Sequence, residues 1–88
     1  MIDYQMNEQV KTTGNFITFA YGYYSFELSD GEVLAFDEVS KKVLDKYDLK
    51  SKEYSGQKFE IHYSIILDDT DQEDFVILRL DNLTIMET

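Results

Sequence analysis

A mainly β domain is predicted, with five strands and one helix between its third and fourth strands. Three observations predict it. Residues 15–37 are dense in aromatic and β-branched side chains and are cut by Gly22 and Asp30-Gly31. The apolar spacing then switches once to a helical period, and from Lys58 it returns to strict alternation. The order β-β-β-α-β-β follows.

Taken in order, "NFITFAY", "YYSFELS" and "EVLAFD" give strands near 15–21, 23–29 and 32–37. In the second, Tyr24, Phe26 and Leu28 share one face and Tyr23, Ser25 and Glu27 the other, so the first trio faces the core. Asp30-Gly31 tolerates the positive φ angles of a tight hairpin turn. Val39, Val43, Leu44 and Tyr47 then fall at helical spacing, which predicts a helix over 38–48 with Asp37 as its cap and Glu38 near the positive end of its dipole. "KSKEYSGQ" is a loop. Along "KFEIHYSIIL", Phe59, Ile61, Tyr63, Ile65 and Leu67 alternate with Lys58, Glu60, His62, Ser64 and Ile66, a long strand with one buried face. The last strand, near 75–81, is apolar on both faces until Arg79 and Asp81, which places it between two neighbours. The expected core is Tyr24, Phe26, Leu28, Val43, Tyr47, Phe59, Ile61, Tyr63 and Ile65. Residues 1–14 are the least patterned and are expected to form a partly mobile arm, leaving 15–88 as a single small barrel.

This element order resembles that of the oligonucleotide/oligosaccharide-binding (OB) fold, which implies a five-stranded antiparallel Greek-key barrel with one helix between strands three and four. The stretch "YYSFELSDGEVLAFDEV" followed by "GQKFEIHYSIILDD" also resembles small bacterial proteins of uncharacterised function with that fold, over residues 15–82. The resemblance is one of arrangement and carries no functional motif, so it implies a fold alone. A split barrel of the SH3 type is the competing architecture.

Composition narrows the function. The chain has 88 residues, 43% hydrophobic, with a formal net charge of -10. It is too apolar for a disordered acidic tail, and with no cysteine its stability must come from packing. No run approaches the length of a membrane span and the N-terminus lacks a signal-peptide pattern, so a soluble, cytoplasmic protein with no membrane partner is expected. The charge is lopsided. Lys41 to Lys58 holds six lysines and three acids, leaving two bases and fifteen acids elsewhere, about +3 against -13. Those lysines could dock an anionic partner, although such residues more often cover the outer face of a helix.

The most conspicuous acids are Asp68, Asp69, Asp71, Glu73 and Asp74 in "DDTDQED". As a calcium loop the run fails. Counted from Asp69, Asp74 stands where the turn glycine is required and Leu80 where the bidentate glutamate is required. A catalytic carboxylate pair needs a cleft that separates two pKa values, and the run is expected to be an open connection between strands four and five. His62 is the only histidine, on the polar face between Glu60 and Ser64. With one His and no Cys, neither a zinc site nor a convincing Ser-His-Asp set is available. Gly14, Gly22, Gly31 and Gly56 are isolated turn residues and form no phosphate loop.

No catalysis, metal or cofactor is therefore expected, and the chain should act by presenting a surface. An acidic protein-interaction module facing a basic protein is the reading these residues favour, with phosphate mimicry by the acidic run as its sharpest form. The alternative is an OB-type binder of single-stranded nucleic acid or oligosaccharide through Tyr21 and Tyr23. Glu27, Glu32 and Asp37 lie on or beside that surface and oppose a phosphate backbone, so a neutral sugar or a peptide is a better guest than DNA.

Overall fold

The alternation that begins at Phe59 sets the centre of the molecule. In the computed structural model, which describes residues 5–70 and 73–87, Lys58–Thr70 is a strand flanked on both sides along its length. The elements in chain order are β1 (Gln5–Ala20), β2 (Tyr23–Leu28), β3 (Val33–Phe36), β4 (Glu38–Val39), α1 (Lys41–Lys46), β5 (Lys58–Thr70) and β6 (Glu73–Ile85), with a single 3₁₀ turn at Lys52–Tyr54. The strands form one mixed six-stranded sheet, ordered β3-β2-β1-β5-β6-β4, that curls into a half-barrel compatible with an OB-like fold. Every pairing is antiparallel except β4 with β6.

Phe59, Ile61 and Tyr63 are buried as their period requires, together with Phe16, Tyr24, Phe26, Leu34, Phe36, Leu80 and Leu83. Val43, Tyr47 and Leu49 close the core from the helical side. Leu28 and Ile65, also expected in the core, are half-buried and pack against it. The aromatic rings meet edge-on: Phe59 lies 6.1 Å from Phe26 and 5.3 Å from Tyr47 between ring centroids.

Three elements differ from expectation, each because pairing overrides local pattern. Strand character begins at Gln5, well before Asn15, since Gln5–Asn15 pair residue for residue with Asp68–Lys58 although few of them are good strand formers. The helix starts at Lys41 and is capped by Ser40, whose Oγ accepts from the Val43 N–H. Asp37 is not the cap, and Glu38–Val39 are drawn into the sheet beside Arg79–Leu80. Gly14 is not a turn residue. It lies inside β1 between Leu28 and Phe59, where a Cβ would stand 2.9 Å from the Glu27 carbonyl oxygen. Gly22, Gly31 and Gly56 do occupy turns with positive φ.

Burial raises the pKa of Tyr63, and the carboxylates of Glu32 and Glu8 push the same way. Its folded form thus holds the phenolic proton more tightly than the unfolded chain does. Stability present below the ordinary value of 10.0 should be lost as pH rises through the raised one. Denaturation of the parent and of Tyr63→Phe, compared at about pH 8 and about pH 11, should show the parent losing more. Equal losses would rule out this contribution.

Candidate functional site: an acid-rimmed groove at an open sheet edge

Of the surface concavities, two stand out by charge: one gathers the bases outside the lysine-rich segment, the other gathers two carboxylates. The first lies on the outer face of β5. Register aligns Lys11, His62 and Asn82 in one row and Gln9, Ser64 and Arg79 in the next. All of these but Ser64 line a polar cleft of about 430 Å³ with Lys42 and Asp81. Lys11 and Arg79 are the two bases outside the lysine-rich segment, and the fold unites them here.

Both are matched by acids. Arg79 Nε donates to Asp81 Oδ1 at 2.8 Å, and Lys11 Nζ lies 3.7 Å from Glu60. His62 Nε2 stands 3.0 Å from Glu60 Oε1, the pairing expected of a surface histidine on that face. This hydrogen bond holds the Glu60 carboxyl below its ordinary value, against a smaller opposing effect of burial and with help from Lys11.

Ser64 belongs to the polar face yet is fully buried. Asp81 explains this, because it is the extra residue of an irregularity between Leu80 and Asn82, and it folds its carboxylate onto the Ser64 hydroxyl. Ser40 Oγ donates to the Asp81 carbonyl at 2.8 Å, fastening the start of α1 to the same point. The network is satisfied from within and joins helix to sheet. Its serine answers to a carboxylate directly and its histidine to a different one, which is not the geometry of an activated nucleophile.

The second concavity is a groove of about 510 Å³ lined by Tyr23, Ala35, Asp37, Glu38 and Val76–Leu78. Tyr23 and Ala35 come from the faces of β2 and β3 turned away from the core, and are exposed. Asp37 and Glu38 stand where β3 gives way to β4, and Val76 is 63% exposed. Among the described residues, no lysine, arginine or histidine lines this groove. Its lining mixes aliphatic side chains with two carboxylates and the half-exposed phenol of Tyr23.

The residues predicted as sites separate. Tyr23 lines the groove. Tyr21 does not: it is 98% exposed at the β1–β2 turn, with φ 56, beside Gly22 with φ 82. Of the acidic run, Asp68, Asp69, Glu73 and Asp74 belong to the β5–β6 ladder, in which Asp69 faces Asp74 and Thr70 faces Glu73. The ladder therefore consumes most of the expected connection, and Asp71 lies outside the described residues. Among the described residues no group of three or more His, Cys, Asp or Glu could hold a metal ion, and no helix is long and apolar enough to cross a membrane.

Glu38 was legible only as a helix-start residue, because its place on the rim depends on β6, some forty positions later, whereas Asp37 was read both as the helix cap and as lying on or beside the Tyr21/Tyr23 surface. One signal did exist for Val76–Leu78. A strand apolar on both faces asks for two neighbours, and β6 has its second neighbour, β4, only at Arg79 and Leu80. Comparison with known proteins brings no family model, no curated protein and no solved structure that matches this chain.

Proposed function

We propose that this chain is a non-enzymatic protein-interaction module of OB-like architecture whose groove at Tyr23, Asp37, Glu38 and Val76–Leu78 receives a basic, partly apolar segment of another protein. If β3 and β4 are taken as one strand bent at Asp37, the sheet is five-stranded. Its third strand then runs parallel to its last, which is the Greek-key closure of an OB barrel, and its second and third strands form the ligand face of that fold. The groove lies on this face.

The observation that carries the reading is the groove's described lining, two carboxylates and no base beside aliphatic side chains. Such a site favours lysine or arginine beside aliphatic side chains and opposes phosphates, whose neutralisation supplies most nucleic-acid affinity. The acidic run from Asp68 to Asp74 and the net charge of -10 extend the same bias and speed the approach of a basic partner. A saccharide or single-stranded nucleic acid stacked on Tyr23 is the competing guest.

Titration with three probes tests this: a lysine- and valine-rich peptide, a neutral oligosaccharide and a single-stranded oligonucleotide, each followed by amide chemical shifts. The peptide should move the signals of Tyr23 and Val76–Leu78. Its affinity should weaken as salt rises, and should fall about three- to tenfold in Asp37→Asn/Glu38→Gln, the loss of one or two rim ion pairs. Oligonucleotide binding at micromolar strength and physiological salt would replace this reading with the nucleic-acid one.

A further inference from the structure

The groove is lined by three consecutive residues of one strand, Val76, Ile77 and Leu78. Side chains alone would contribute every second residue, because successive ones point to opposite faces. Three in a row means that the groove looks onto the edge of β6. That edge is open. β6 pairs with β5 from Glu73 to Ile85, whereas on its other side β4 covers only Arg79 and Leu80, and no other described strand pairs there.

The direction of the backbone follows from one hydrogen bond. The Leu80 carbonyl accepts from the Ser40 N–H at 2.9 Å, so the polar groups of Leu80 point toward β4. The register with β5 is unbroken from Leu80 back to Val76, the irregularity lying beyond Leu80. By the two-residue period, Leu78 and Val76 turn backbone polar groups to the same side, and those of Val76 pair with no described strand, although β3 comes close to β6 on that side and its Ala35 forms the opposite wall of the groove. An exposed edge with apolar side chains is a template for another chain.

We propose that the open edge of β6 at Val76 accepts an extended, basic segment of a partner protein as an added β-strand. Its aliphatic side chains lie against Ile77 and Tyr23, which share the face turned away from the core, and its lysines or arginines face Asp37 and Glu38. The proposal rests on the reading of the groove as a site for a basic protein segment and specifies how that segment binds. Charge complementarity selects the occupant. A second copy would bring its own Glu73-Asp74 and a further net charge of -10 to an edge already bordered by Asp37 and Glu38.

The test uses the full chain and two peptides of seven alternating lysines and valines. One has an ordinary backbone. In the other, alternate amides on the edge-facing side are N-methylated, which removes donors and keeps every side chain. The ordinary peptide should bind, should protect the Val76 amide from hydrogen exchange, and should outbind the methylated one about tenfold, as the loss of one or two main-chain hydrogen bonds implies. Val76→Pro should weaken the ordinary peptide similarly, because the donor it removes points away from β5.

Equal binding of the two peptides overturns strand addition and leaves the groove reading standing. Binding of neither overturns both. Concentration-dependent protection of the Val76 amide without peptide, with a dimer by sedimentation, overturns the basic partner in favour of a second copy. Should Val76→Pro lose its native circular dichroism, the peptide pair alone decides.

Discussion

Phe59→Ala should destabilise the domain by about 3–5 kcal/mol, the usual range for emptying a buried phenylalanine site. Phe59 is fully buried, stands between Gly14 of β1 and Ile85 of β6, and contacts the rings of Phe26, Tyr47 and Tyr54 with centroids 6.1, 5.3 and 6.1 Å away. It thus ties sheet, helix end and 3₁₀ turn together. Relaxation around the cavity is restrained because its neighbours are anchored elsewhere. Tyr47, for example, accepts a hydrogen bond from the Ile85 N–H at 3.3 Å. A domain of this size has about 5–15 kcal/mol in total, so the thermal midpoint should fall by about 15 °C or more, or folding should be lost. Urea denaturation provides the measurement, with Leu44→Ala as the control. Leu44 is 45% exposed on α1 and its truncation should cost under about 1 kcal/mol. A loss below about 1 kcal/mol at Phe59 would show that the aromatic cluster is not the centre of the core.

Gly14→Val should cost about 2–3 kcal/mol, although valine is among the best strand residues and an exposed site in β1 would welcome it. The reason is contact, with no part played by backbone angle. The added Cβ meets the Glu27 carbonyl oxygen at 2.9 Å, Leu28 Cδ2 at 3.0 Å and Ile61 Cδ1 at 3.2 Å. Side-chain tips can yield, but the carbonyl belongs to the β1–β2 ladder and moves only if the sheet flattens. Glycine here lets β2 and β5 approach β1 closely from both sides as the sheet curls. Gly14→Ala should fall between parent and Gly14→Val. Stabilisation by either substitution would mean that β1 has slack at this point.

The long alternation from Phe59 to Tyr63 was readable because a strand's period is local: each side chain's face follows from its neighbour's, whatever the strand packs against. The same logic put His62 beside Glu60 on the outer face. The reading weakened where a residue's role depends on a distant strand. Val39, Val43 and Tyr47 keep helical spacing, yet Val39 is held by β6 and the helix waits for Ser40. Ser64 alternates as a polar-face residue and is buried all the same, since Asp81 bulges over it. Fine local patterns lose such contests because one residue's propensity is worth tenths of a kcal/mol and a paired, packed strand far more.

By itself, then, the sequence determined a mainly β chain with one short helix, a core centred on Phe26, Phe59 and Ile61, and a strongly acidic composition, all consequences of composition and short-range period. Only the tertiary structure decided that β1 runs back to Gln5, that β4 meets β6 in parallel for just two residues, and that Tyr23, Asp37 and Val76 border one groove. These depend on where a curling sheet stops pairing. That point is set by the summed register of six strands, which no local run of residues encodes.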